Sequence, residues 1–63
     1  MALNFTQTGP AGTVKAALDA LEGLSDAEVI VRGHASDQLG TCEPEAVVEV
    51  VVQLEGWRVT PTT

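Results

Sequence analysis

Residues 46–54, AVVEVVVQL, restrict the fold more than any other stretch of this chain. Successive side chains of an extended strand point to opposite faces. Ala46, Val48, Val50, Val52 and Leu54 therefore share one face, and Val47, Glu49, Val51 and Gln53 share the other. The first face is wholly apolar and calls for a core. The second mixes valine with charge, which a fully solvated face does not need, and this suggests contact with a partner chain. Near-continuous valine also suits a central strand flanked on both sides.

The flanking elements follow from local patterns. Residues 1–7 alternate weakly, with Leu3 and Phe5 against Asn4 and Thr6, which predicts a first strand. Thr8-Gly9-Pro10 breaks it. Val14, Ala17, Leu18 and Leu21 then recur at helical spacing and form one apolar stripe opposite Lys15, Asp19 and Glu22. This helix starts either at Pro10, with Thr8 or Gly9 as cap, or one turn later with Thr13 as cap. Gly23 stands where a left-handed C-terminal cap belongs, with Leu24 folding back onto Leu18. Ser25-Asp26 reads as a turn.

Residues 27–35, AEVIVRGHA, alternate again and predict a second strand. Ala27, Val29, Val31, Gly33 and Ala35 would face one way, and Glu28, Ile30, Arg32 and His34 the other. Gly33 would mark a bulge or a close approach to the helix. Residues 36–44 carry loop chemistry, and Gly56 ends the valine strand. The resulting expectation is an α+β fold of order β-α-β-β. One helix packs on a three-stranded antiparallel sheet in a single domain at residues 1–56. Residues 57–63 form a C-terminal tail in which Pro61 discourages regular structure.

Size and charge bound the function. A domain of 63 residues buries only about 60% of its unfolded surface. Such domains usually lean on disulfides, a metal or association. Cys42 is the only cysteine, so no internal disulfide forms. Structural zinc sites take four Cys or His ligands, and only His34 and Cys42 are candidates. Association is the support that remains. A 44% hydrophobic content is too high for global disorder. The formal net charge of -6, with Lys15, Arg32 and Arg58 scattered, disfavours nucleic acid and anionic membrane surfaces. No apolar run spans a bilayer, and no basic segment leads an apolar signal core. The expected setting is therefore the cytoplasm, which also suits a lone thiol.

The outer sheet face is the candidate site. Ile30, Val47 and Val51 would lie there among Arg32, Glu49 and Gln53, joined by Trp57 and Arg58 because Trp and Arg are enriched at binding hot spots. No catalytic, metal or cofactor residue is assigned. His34, Asp37, Cys42, Glu43 and Glu45 cluster in sequence, but their spacing matches no standard metal site. Ser36, His34 and Asp37 are sequence neighbours, whereas a catalytic triad needs convergence in space. Reactive thiols need positive surroundings, which Glu43 and Glu45 do not give Cys42. Gly9-Pro10-Ala11-Gly12 lacks the lysine and the glycine spacing of a phosphate loop. The expectation is thus a non-enzymatic interaction or structural module.

The β-α-β-β order, the acidity and the segment 45–56 resemble dodecins, small flavin-storing proteins that form hollow dodecamers. That resemblance implies a flavin carrier whose stacking tryptophan lies in the second strand. Residues 27–35 contain no tryptophan, and Trp57 follows the third strand, so no cofactor is expected. The helix from Thr13-Val14 to Leu24, the segment Val31-Arg32-Gly33-His34-Ala35-Ser36 and the final valine-rich strand resemble short acidic proteins encoded by bacteriophages of actinobacteria. This likeness implies a virion component or a small product that binds and inhibits a host protein through its acidic surface.

Overall fold

A computed structural model describes residues 3–62. The chain runs β1 (Asn4–Pro10), α1 (Ala11–Asp19), α2 (Asp26–Gly40), β2 (Val47–Gln53) and β3 (Gly56–Pro61). The strands form one antiparallel sheet of order β1-β2-β3, so the valine strand is central. Both helices pack on the same face of the sheet, α1 against β1 and α2 against β3, with both touching β2. Val48, Val50 and Val52 are buried beneath Val14, Leu18, Ala35 and Leu39, with Leu3 and Ala11 completing the core. Leu54 lies past the strand and is exposed.

Local chemistry explains α1. It has no side-chain cap; Pro10 occupies the N-cap position. Its first amides instead donate to loop carbonyls, Ala11 to Ala46 at 2.8 Å and Gly12 to Pro44 at 3.0 Å. The helix start is thereby continuous with the β1–β2 ladder, and donors that every helix leaves open are satisfied. Gly12 allows the close approach, since a Cβ there would meet Pro44 at 3.3 Å. The helix ends at Asp19, and Gly23 takes a left-handed φ of +75° in the connection that follows.

Two expectations are corrected. Residues 27–35 do not form a strand; they lie in the fifteen-residue α2. The cause is a capping box. The Ser25 hydroxyl accepts from the Glu28 amide at 3.3 Å, and the Glu28 carboxylate accepts from the Ser25 amide at 2.9 Å. This closure satisfies two N-terminal donors and commits the segment to a helix. Glu28, Ala35, Ser36 and Leu39 are buried at helical spacing, whereas Ile30 and Gly33 are exposed. Gly33 is therefore neither a bulge nor a close contact, as nothing lies within 4 Å of its would-be Cβ.

The second correction concerns the expected tail. Gly56–Pro61 is an edge strand paired with β2 from Gln53↔Gly56 to Val48↔Pro61. The two-residue loop Leu54-Glu55 has no positive φ and so lacks the Asn-Gly or Asp-Gly signal of the favoured hairpin turns. Pro61 is accommodated at the free edge, where a missing amide breaks no ladder bond. The helix count also separates this β-α-α-β-β order from the β-α-β-β order that carried the likeness to dodecins.

Candidate interaction face

Strand register builds the outer face in four rows. They are Asn4–Gln53–Gly56, Thr6–Val51–Arg58, Thr8–Glu49–Thr60 and Pro10–Val47–Thr62. Val48, Val50 and Val52 face the helices, so these alternate residues face away from them. No described element covers this side of the sheet. Val47 and Val51 are half-buried by their neighbours, and the four threonines around them are exposed. Glu49 and Arg58 form a diagonal ion pair at 3.9 Å, both well exposed. Such a pair orients side chains more than it stabilises.

The expected site residues divide accordingly. Val47, Glu49, Val51, Gln53 and Arg58 come together on this face. Trp57 pairs with Val52 and so points to the helix side, 39% exposed. Ile30 and Arg32 are on α2, across the sheet from the face they were assigned to. Ile30 is 61% exposed there. Arg32 donates through Nη1 to the Leu21 carbonyl at 2.8 Å and ties the α1–α2 connection. Asn4, Thr6, Thr8, Pro10, Gly56, Thr60 and Thr62 are members of these rows that pattern reading does not assign. Asn4 and Thr6 stand out as the polar half of the first alternating strand, whereas Thr8 falls in the Thr8-Gly9-Pro10 break that the structure makes part of β1, and Thr60 and Thr62 are hidden in the supposed tail.

The remaining polar candidates serve the helix packing. Ser36 is buried and donates to Asp19 Oδ1 at 2.6 Å, while Lys15 holds Asp19 Oδ2 at 2.9 Å. An aspartate at a helix C-terminus is otherwise disfavoured by the dipole. The Ser36 hydrogen bond, then Lys15 and Arg32, hold the Asp19 carboxyl below its ordinary pKa against the opposing effect of burial. His34 and Asp37 are exposed on α2, away from the buried Ser36 hydroxyl. Cys42 packs against the core, with Sγ 3.7 Å from the Gln38 carbonyl. No group of three His, Cys, Asp or Glu residues suited to a metal occurs among the described residues. No helix among them is long and apolar enough to cross a membrane. An open depression at the sheet end is lined by Leu3, Asn4, Gln53, Leu54 and Glu55.

Searches against protein-family models, curated proteins and solved structures found no match to this chain.

Proposed function

We propose that the chain is a non-enzymatic interaction module, a phage virion accessory protein that self-associates or docks through its outer sheet face. One observation carries this reading: both helices cover one side of the sheet, and no described element covers Val47 and Val51 on the other. Full burial of a valine contributes about 1.5–3 kcal/mol. These two are already half-buried and Ile30 is no longer with them, so the apolar gain is smaller than three open β-branched residues would give. The surrounding threonines and the Glu49–Arg58 pair would supply hydrogen bonds and register to such a contact. The phage origin rests on the likeness of sequence to short acidic actinobacteriophage proteins.

A second reading, inhibition of a host protein through the acidic surface, draws on how the cations are used. Lys15 is paired with Asp19, Arg58 faces Glu49, and Arg32 is turned to a backbone carbonyl. Glu22, Asp26, Asp37, Glu43, Glu45 and Glu55 are exposed without a cationic side chain beside them among the described residues. A basic partner would be steered to such a surface at low salt.

Light scattering over a dilution series, with Val51→Glu as the variant, tests the first reading. Val51→Glu is expected to keep its circular dichroism and lose the assembly or the docked partner. An assembly indifferent to Val51→Glu defeats the outer-face reading. Mass spectrometry of purified particles separates the two roles, because a virion part is retained and an inhibitor is not.

A further inference from the structure

We infer that the free edge of β1 pairs with β1 of a second copy about a two-fold axis through Thr6, joining two sheets into one of six strands. The contact is separate from the outer face, and it follows from where the backbone groups of β1 point. The Ala11 amide bonds the Ala46 carbonyl, and the Thr62 amide bonds the Val47 carbonyl. Bonding direction alternates along an antiparallel strand. Even-numbered residues of β2 therefore bond β1, and odd-numbered ones bond β3. On β1 the ladder to β2 then uses Phe5, Gln7 and Gly9, whose partners are Val52, Val50 and Val48. The amides and carbonyls of Asn4, Thr6 and Thr8 point away from the sheet, and no described strand pairs with β1 on that side.

The open groups are self-complementary. With Thr6 opposite Thr6 of the second copy, Asn4 falls opposite Thr8. Each of these residues then donates one amide and offers one carbonyl across the axis. On the outer face the side chains form a Thr–Thr cross-strand pair, a favourable class, with an uncharged Asn–Thr pair on either side of it. The two outer faces also become continuous.

The edge is unguarded. Sheet edges are normally blunted by charge, bulges or proline. NFTQTGP pairs with β2 over seven uninterrupted positions, and its proline comes last. It is also the one strand or helix of the five without a charged side chain. In a chain of net charge -6, it is where two copies approach with least repulsion. The β3 edge is less fit. Its outward groups belong to Trp57, Val59 and Pro61, and Pro61 has no amide to donate. Closed two-fold pairing through β1 also avoids the open filament that a β1-to-β3 contact would build.

Amide exchange followed by NMR from micromolar to millimolar protein tests this directly, with light scattering on the same samples. The expected result is a doubling of mass, with exchange at Asn4, Thr6 and Thr8 slowing by about tenfold or more. Trp57 and Val59 should stay fast. A dimer that leaves the three β1 amides fast overturns the inference while leaving the outer face as a valid contact. A monomer at every concentration also overturns it and removes self-association through the outer face as well; protection at Trp57 and Val59 in place of the β1 amides overturns the inference alone. Thr6→Cys in a Cys42→Ser background gives a second readout. Residues directly opposite in a bonded antiparallel pair have Cα atoms about 5.5 Å apart, within disulfide reach. Sheets stacked face to face lie about 10 Å apart, which is too far. Ready oxidation to a cross-linked dimer is expected; a dimer that refuses to cross-link overturns the pairing.

Discussion

Residues 27–35 and 46–54 carry much the same pattern, and the chain uses them in opposite ways. Both alternate, both are rich in β-branched residues, and both place a glutamate among valines. The first coils into α2 and the second extends as β2. The pattern itself does not separate them; their borders do. Ser25 and Glu28 stand three apart at the start of the first segment and close a capping box. Leu39 and Cys42 then continue its buried side at helical intervals from Ala35. The second segment has a Glu43-Pro44-Glu45 approach with no such box, and its apolar face meets the stripe of α1. Where local preference is even, the caps and the longer period decide.

The two segments should then respond unequally to charge. Val50→Glu places a carboxylate at a fully buried position between the helices and the neighbouring strands. A cost of about 3–5 kcal/mol is expected, enough to unfold a domain of this size. Ile30→Glu adds the same charge at an exposed helical site and should stay within about 0.5 kcal/mol of wild type. Urea denaturation followed by circular dichroism measures both. Similar losses in the two variants would mean that the segments are packed alike.

The capping box is the next point at which the comparison can be broken. Ser25→Ala removes the acceptor for the Glu28 amide, with an expected loss of about 1 kcal/mol. The Glu28 carboxyl is held below its ordinary pKa, first by the Ser25 backbone amide and then by the Ser25 hydroxyl and the Leu3 amide, against burial. A depressed folded-state pKa gives stability that is complete above the unfolded value and is lost as pH falls through the folded one. Thermal unfolding over the acid range should therefore show the wild type losing stability below the ordinary glutamate range. Glu28→Gln should flatten that slope. Asp19, depressed in the same direction, leaves part of it in place. An unchanged slope in Glu28→Gln would remove the carboxylate from the account of α2.

These residues also show what the sequence disclosed. The two faces of the valine strand, its central place, the α1 stripe and the antiparallel sheet were readable, because each rests on a short-range period backed by strong apolar contrast. The fate of residues 27–35 was obscured because the buried side of α2 includes Glu28 and Ser36, while Val29 and Ile30 face outward. That inversion erases the apolar stripe from which a helix is normally recognised. The Ser25-to-Glu28 spacing was the available signal. Val47, Glu49, Val51 and Gln53 share a face in both readings because strand alternation fixes them once β2 is known, whereas Arg58 joins them only through β3, which reads as a tail in the sequence. Ile30 and Arg32 went astray with their segment. Thr60 and Thr62 are hidden in the sequence because Pro61 reads as a breaker, whereas an edge strand tolerates it.

The smallest expected effect gives the sharpest test of the helix. Gly33 lies in the interior of α2 with open space where a Cβ would project. Glycine there carries backbone freedom that alanine does not, at a cost of about 0.5–1 kcal/mol. Gly33→Ala should therefore stabilise the protein by that amount and raise its melting temperature by about 4–8 °C. A strand with a glycine bulge would respond in the opposite sense, because alanine would strain the bulge. Gly12→Ala supplies the control within α1. Its Cβ would press on Pro44 at 3.3 Å, beside the Gly12–Pro44 hydrogen bond, so the same gain in helix preference meets a steric cost. Two helical glycines given the same methyl group should thus move stability apart, and equal shifts would show that α2 does not present Gly33 to solvent.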